Sequence, residues 1–276
     1  MRKLGTLVIA ACLFPVALRA EIVKFDVLER VPAFAGRSFG DVGPYERITA
    51  RATIALDPAN DRDAVITDLA QAPRTAAGRV EAVADVVIVR PADATHGNGT
   101  LLLEVPNRGR KLAPQLFDDS PQPGANRAEA AEDAGTGFLH RQGFTMVWVG
   151  WQADIPSRPG QMALSAPILK GVTGPAREEY VFDNTTNPTR ATLTWPAAIT
   201  RPDGFDAGGL YEVTYTARDP APLGMGFAAV RDVASFLRHD TSQGNPLLNV
   251  FYEDSLGRVV SRKVLGRRHS TRCRAR

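Results

Sequence analysis

Ser255, in the stretch LNVFYEDSLGRVV, is the hydroxyl that chain order places best for nucleophilic chemistry, because an apolar run precedes it. Hydrolytic use of such a serine needs a strand and a sharp turn of the form G-x-S-x-G, with an acid and a histidine supplied later in the chain. Glu253 occupies the place of the first glycine. Strand and helix backbones approach closely at that turn, so a bulky carboxylate there points to a solvated turn serine instead. His269 is the only histidine downstream and lies 14 residues further on, which leaves no room for an intervening acid strand.

The remaining histidines read as structural. His96 sits in a Gly/Asn-rich turn, while His140 and His239 fall at the ends of expected helices, where a cationic ring complements the helix dipole. No His/Cys/Asp cluster has ligand spacing, so neither a metal site nor a cofactor is expected. GMGFAA (224–229) satisfies the relaxed fingerprint G-x-G-x-x-G/A. A dinucleotide site needs a buried parallel strand feeding a tight turn, however, and here an alternating strand and a loop holding Pro220 and Pro222 come first. These glycines read as a flexible helix start.

The elements that must position any site are legible as patterns. RITARATIAL (47–56) alternates, with Ile48, Ala50, Ala52, Ile54 and Leu56 on one face and Arg47, Thr49, Arg51 and Thr53 on the other. Period two with one polar face predicts a half-buried antiparallel strand. VADVVIVR (83–90) predicts a second strand, and TLLLEVP (100–106) a third, whose unbroken leucines suggest cover on both faces. Asn126 and Glu129 resemble a capping box ahead of an Ala-rich helix running through Phe138 and Leu139, which Gly143 would stop. FTMVWVGW (144–151) follows as an apolar strand, so strand, helix and strand predict a parallel crossover. RATLTW (190–195) and LYEVTYTA (210–217) alternate as an antiparallel excursion, and GFAAVRDVASFLRHD (226–240) is an amphipathic helix. Trp148, Trp151 and Trp195 occupy strand positions and read as core.

In this order the pieces resemble the first half of an α/β-hydrolase. LLLEVPNRG resembles the central strand with its oxyanion loop, FLHRQGFTMVWVGWQAD the helix end and next strand, and GFAAVRDVASFLRHD the helix before the nucleophile strand. The wording GRSFGDVGPYERI, VPNRGRK and AAVRDVASFLR is similar to a family of exported bacterial proteins described only as α/β-hydrolase domain proteins. The resemblance implies an α/β fold, the N-terminal half of a hydrolase sheet carrying an inserted antiparallel β excursion, over residues 21–246. It implies serine-type hydrolysis of a small ester or amide without a cofactor. It also places Asn107, Arg108 and Gly109 where one oxyanion N–H is supplied. The chain departs from the pattern after residue 246, so the nucleophile elbow, and with it the triad, is expected to be missing.

Charge divides the chain into three. The formal +3 hides a tail from Arg258 with seven Arg, one Lys and no acid, and a first 20 residues with three cations; the rest holds 22 basic against 30 acidic side chains, about −8. An acidic body argues against a nucleic-acid partner. MRKLGTLVIAACLFPVALRA reads as a secretory signal peptide, too short to span a membrane, with export to a periplasm or beyond. Lipidation at Cys12 is the lesser alternative, and stable membrane insertion is not expected. Residues 247–276 read as an unrelated basic ending of the kind a frameshift leaves in a GC-rich gene. The alternative to a hydrolase is a non-catalytic, β-rich exported binding domain, with strands in 45–90 and 178–217 forming its functional surface.

Overall fold

The structure is a computed structural model that describes residues 21–122, 126–155, 160–182, 188–193 and 198–248, and the backbone of 252–253 and 259–260. Its central sheet contains β1 (Ile22–Pro32), β2 (Tyr45–Leu56), β3 (Val80–Pro91), β4 (Leu101–Glu104), β5 (Thr145–Val149) and β6 (Leu164–Ser165). The order is β1-β2-β3-β5-β4, with β6 beside the start of β3. All pairings are antiparallel except β4 with β5, which run parallel from Leu101↔Thr145 to Glu104↔Trp148. The alternation expected for 47–56 holds. Ile48, Ala52, Ile54 and Leu56 are fully buried, while Arg47, Thr49 and Thr53 are half-buried and Arg51 is exposed.

The expected α/β-hydrolase half is not what forms. The chain is mostly strand (35%) with 20% helix, and the described residues contain three α-helices: α1 (Ala113–Asp118), α2 (Phe138–Arg141) and α3 (Met225–His239). A hydrolase half needs parallel strands joined by long helices that cover both faces. Here only one pair is parallel, and its crossover carries just the six-residue α1 and the four-residue α2. The Ala-rich stretch 126–139 fails as a long helix because tertiary contacts claim its groups. Gly135 and Gly137 adopt φ of 52° and 70°, and a Cβ on Gly135 would lie 2.0 Å from the Asp118 carbonyl. Neither expected capping residue caps: Asn126 accepts from the Lys111 N–H and Glu129 pairs with Arg47. Gly143 does end α2's turn with φ 73°.

The leucine run 101–103 forms an edge strand and not the central one. Leu101 is buried, but Leu102 and Leu103 are half-buried because only β5 pairs with β4. Cover on both faces belongs to β5, where every residue is buried, and to the second half of β3.

One face of the sheet packs Ile48, Ile54, Leu56 and Ile88 against Met225, Val233 and Leu237 of α3. Each such aliphatic side chain contributes roughly 1.5–3 kcal/mol on full burial. α3 sits close because Gly226 has no side chain: a Cβ there would stand 1.9 Å from the Trp151 carbonyl oxygen. That close approach, and not a nucleotide phosphate, accounts for the glycine. The other face packs Tyr45, Val89, Met146 and Trp148 against Phe34 and Phe39.

The excursion between β6 and α3 is antiparallel as expected. β7 (Thr173–Val181) pairs with β10 (Leu210–Arg218), and β8 (Arg190–Thr192) with β9 (Ala198–Thr200). Exposed and half-buried residues alternate along β7 and nearly all of β10, so this ribbon has almost no fully buried face. Its apolar content gathers where Phe182, Phe205 and Tyr211 meet, with ring centroids 4.5–5.6 Å apart. Trp195, Ser255 and nearly all of the basic tail lie outside the described residues. Of that tail region only the backbone of β11 (Tyr252–Glu253) and β12 (Val259–Val260) is described, as an antiparallel pair.

Candidate functional site

The second face of the sheet is only partly covered, and the uncovered part is a cleft. Because β2 alternates, Arg47 and Thr49 rise from it beside Val87 of β3 and Glu29 of β1. Segments 126–129 and 160–162 form the opposite wall, enclosing about 310 Å³. This is the size of a small-molecule site.

Arg47 organises the floor. Its Nη1 donates to the Arg127 carbonyl (2.7 Å) and to Glu129 Oε1 (2.9 Å), and Nη2 to Glu29 Oε2 (3.0 Å). With its side chain only 13% exposed, the guanidinium is clamped between two carboxylates, so its position is set before any ligand arrives. Its Nε is buried and unpartnered, as is Oε1 of Gln161 in the opposite wall. The ionisable groups lining the cleft are of both signs: Glu29, Asp85 and Glu129 beside Arg47, Arg127 and Lys111.

Lys111 differs from the other cations. It is 3% exposed, and its Nζ donates to the Asn126 carbonyl (2.6 Å) while lying 5.1 Å from the Trp148 ring centroid. No carboxylate among the described residues forms an ion pair with it. Burial, reinforced by the nearby Arg47 charge and partly offset by Glu104 and Glu129, lowers its pKa to about 7. A clasp holds it there. Glu104, at the end of β4, accepts from the N–H groups of Leu112 (2.6 Å) and Ala113 (2.8 Å) and from Trp148 Nε1 (2.5 Å). One carboxylate thus fixes the start of α1, the residue after Lys111, and the indole beneath the amine.

Behind Lys111 lies a second, enclosed cavity of about 10 Å³, lined also by His140, Asp133 and Trp148 and with room for a single water. His140 is 2% exposed, stacked on Phe39 and edged by Phe34 and Tyr45, with neither ring nitrogen hydrogen-bonded. Burial, then the charges of Arg37 and Arg141, lower its pKa to about 3. It is therefore neutral and does not complement a helix dipole, which corrects the reading from its position alone. Asp118 Oδ2 stands 3.7 Å from Nδ1, and burial raises that carboxyl to about 6 against the N–H groups of Leu139 and Phe138. A carboxyl and an imidazole are side by side, but sealed among aromatic rings.

The expected oxyanion residues border the cleft from outside. Arg108 takes φ 51°, donates its N–H to Gln152 Oε1 (2.8 Å) and pairs with Asp154 (2.6 Å). Gly109, at φ 74°, accepts from the Met162 N–H (3.0 Å), and Asn107 bridges to Arg110. The loop thereby anchors the 161–162 wall. Ser255 lies outside the described residues. Sequence reasoning missed Arg47, Lys111, Glu129 and Gln161 as site residues. Only Lys111 had a local clue, as a lone lysine directly after the NRGR turn.

Among the described residues no three His, Cys, Asp or Glu groups are placed to hold a metal ion, and no helix is long and apolar enough to cross a membrane. The chain matches no protein-family model, no curated protein and no solved structure.

Proposed function

We propose that the chain is an exported, β-rich binding domain whose cleft takes a small polar molecule of no net charge, a polyol or a zwitterion. The carrying observation is the Glu29–Arg47–Glu129 clamp at the floor of a cleft lined by groups of both signs. Fixed donors and acceptors of both signs favour a ligand with several hydroxyls, or one ammonium and one carboxylate. A phosphate or dicarboxylate would meet three carboxylates. The hydrolase reading has lost its architectural support, and a sealed His140–Asp118 pair does not replace it.

A thermal-shift screen of erythritol, other polyols and free amino acids, against phosphate esters and dicarboxylates, tests this. Saturation at a hundredfold excess over Kd stabilises by about 2.7 kcal/mol, some 5–10 °C in a domain of this size. The shift is expected from the neutral and zwitterionic set and not from the anions, and is expected to vanish in Thr49→Trp, which fills the cleft. No shift from the first set, or an equal one from the anions, overturns the reading.

A further inference from the structure

Lys111 is the group in this cleft that does more than hydrogen-bond. We propose that its amine condenses reversibly with the carbonyl of a small hydroxylated aldehyde or ketone bound in the cleft, forming an iminium with this side chain. The proposal rests on the cleft being a ligand site and adds the ligand's reactive group.

Three observations place the amine for this chemistry. The Lys111 side chain lines both the open cleft and the small cavity behind it, so it stands between the two spaces. Its single hydrogen-bond partner is a backbone carbonyl, that of Asn126, which accepts one N–H and competes for no lone pair. Its neighbours are held rigidly by the Glu104 clasp, with the Trp148 face stabilising a cation at that position. Burial without an acidic partner leaves an appreciable fraction of the amine unprotonated near neutrality, the condition for lysine nucleophiles.

The step balances without an oxidant or reductant. The nitrogen lone pair bonds to the carbonyl carbon, and the C=O π pair moves to oxygen. One hydrogen of the neutral amine and one proton from solvent pass to that oxygen, and as the nitrogen lone pair closes the C=N bond the C–O bond breaks and water departs. The C=N bond that remains keeps one N–H, free to go on donating to the Asn126 carbonyl. Hydrolysis reverses each bond change.

The five lysines of the chain, Lys3, Lys24, Lys111, Lys170 and Lys263, make the test direct. Folded full-length protein is incubated with erythrose and cyanoborohydride, and labelled lysines are read by peptide mapping. Lys24 is exposed and paired with Asp26 at 2.8 Å, and Lys170 is exposed, so both serve as internal references. At pH 7 Lys111 is expected to label at least about tenfold faster than either, because burial holds part of its amine unprotonated there. Its advantage is expected to shrink as pH rises towards 10. Millimolar erythritol, which lacks a carbonyl, is expected to slow Lys111 alone. Labelling of Lys111 no faster than Lys24 and Lys170 at pH 7 overturns the proposal, and so does fast labelling that erythritol leaves unchanged. If erythritol still raises Tm while Lys111 stays unlabelled, the iminium fails and the binding cleft stands; if neither occurs, both fail.

Discussion

Along β2, Ile48, Ala52, Ile54 and Leu56 turn to a face sealed by α3, whereas Arg47 and Thr49, one bond of pleat away, turn to a face left partly open. The two faces share a backbone and a hydrogen-bond ladder, yet one is lined by a continuous aliphatic cluster and the other collects six ionisable groups around a cleft. The difference lies in what covers each. A 15-residue amphipathic helix supplies a continuous apolar lid for the first. Glycine-punctuated loops, carrying their own polar atoms, cover the second. Loops cannot bury their backbone groups without partners, so they draw in side chains such as Asn126 and Asp133 and leave space between.

Substitutions on the two faces are therefore expected to differ in kind. The largest effect belongs to the sealed face: Leu237→Ala is expected to cost about 2–5 kcal/mol in urea denaturation, through the cavity it leaves beneath α3. The cleft chemistry of the folded fraction should be unchanged, and a loss of Lys111 labelling there would break the separation of faces.

On the open face the expected sign reverses. Lys111 has its folded-state pKa lowered from 10.5 to about 7, so the unfolded chain takes up the proton first as pH falls. Stability from this group is present above pH 10.5 and is lost progressively down to about pH 7. Lys111→Met, which keeps the packing over Trp148, is expected to stabilise by roughly 2 kcal/mol below pH 7, with little gain at pH 10.5. A gain independent of pH would show that the amine is not penalised by burial.

The smallest effect sits at the margin of the sealed face. Burial, then Asp63 and Asp232, raise the Glu21 carboxyl from 4.5 to about 7 against Arg231. The fold therefore favours its protonated form, and its contribution is present below pH 4.5 and lost as pH rises through 7. Arg79, 3.9 Å away, offsets little of this. Glu21→Gln is expected to raise Tm by about 1–2 °C at pH 8 and leave it unchanged at pH 4, the size being limited by partial exposure. An equal shift at both pH values would place the carboxylate in water.

Where local pattern and tertiary demand agreed, the sequence was readable. The alternation of 47–56, the strand at 83–90 and the amphipathic 226–240 each became the expected element because one face of each was apolar enough to be buried. Where they disagreed, locality misled. Asn126 and Glu129 have the spacing of a capping box, yet Lys111 and Arg47 compete for them and win. Leu101–Leu103 are apolar enough for a central strand, but strand order puts them at an edge, and order is not encoded in a run of four residues. The crossover helix expected from the Asn126/Glu129 spacing and the Ala-rich stretch after it is overridden by Gly135 and Gly137.

The site was the least readable part. Arg47 looked like one more exposed charge of an alternating strand, and Lys111 like one cation in a basic turn. By itself the sequence determined which residues lie on which face of each strand, since the period of two follows from backbone geometry alone. It also marked one place where the backbone turns through positive φ, Gly143. Only the tertiary structure decided that one face would be closed by a helix and the other by loops. That choice set the dielectric around Lys111, because desolvation depends on every atom within several ångströms and not on the neighbours along the chain.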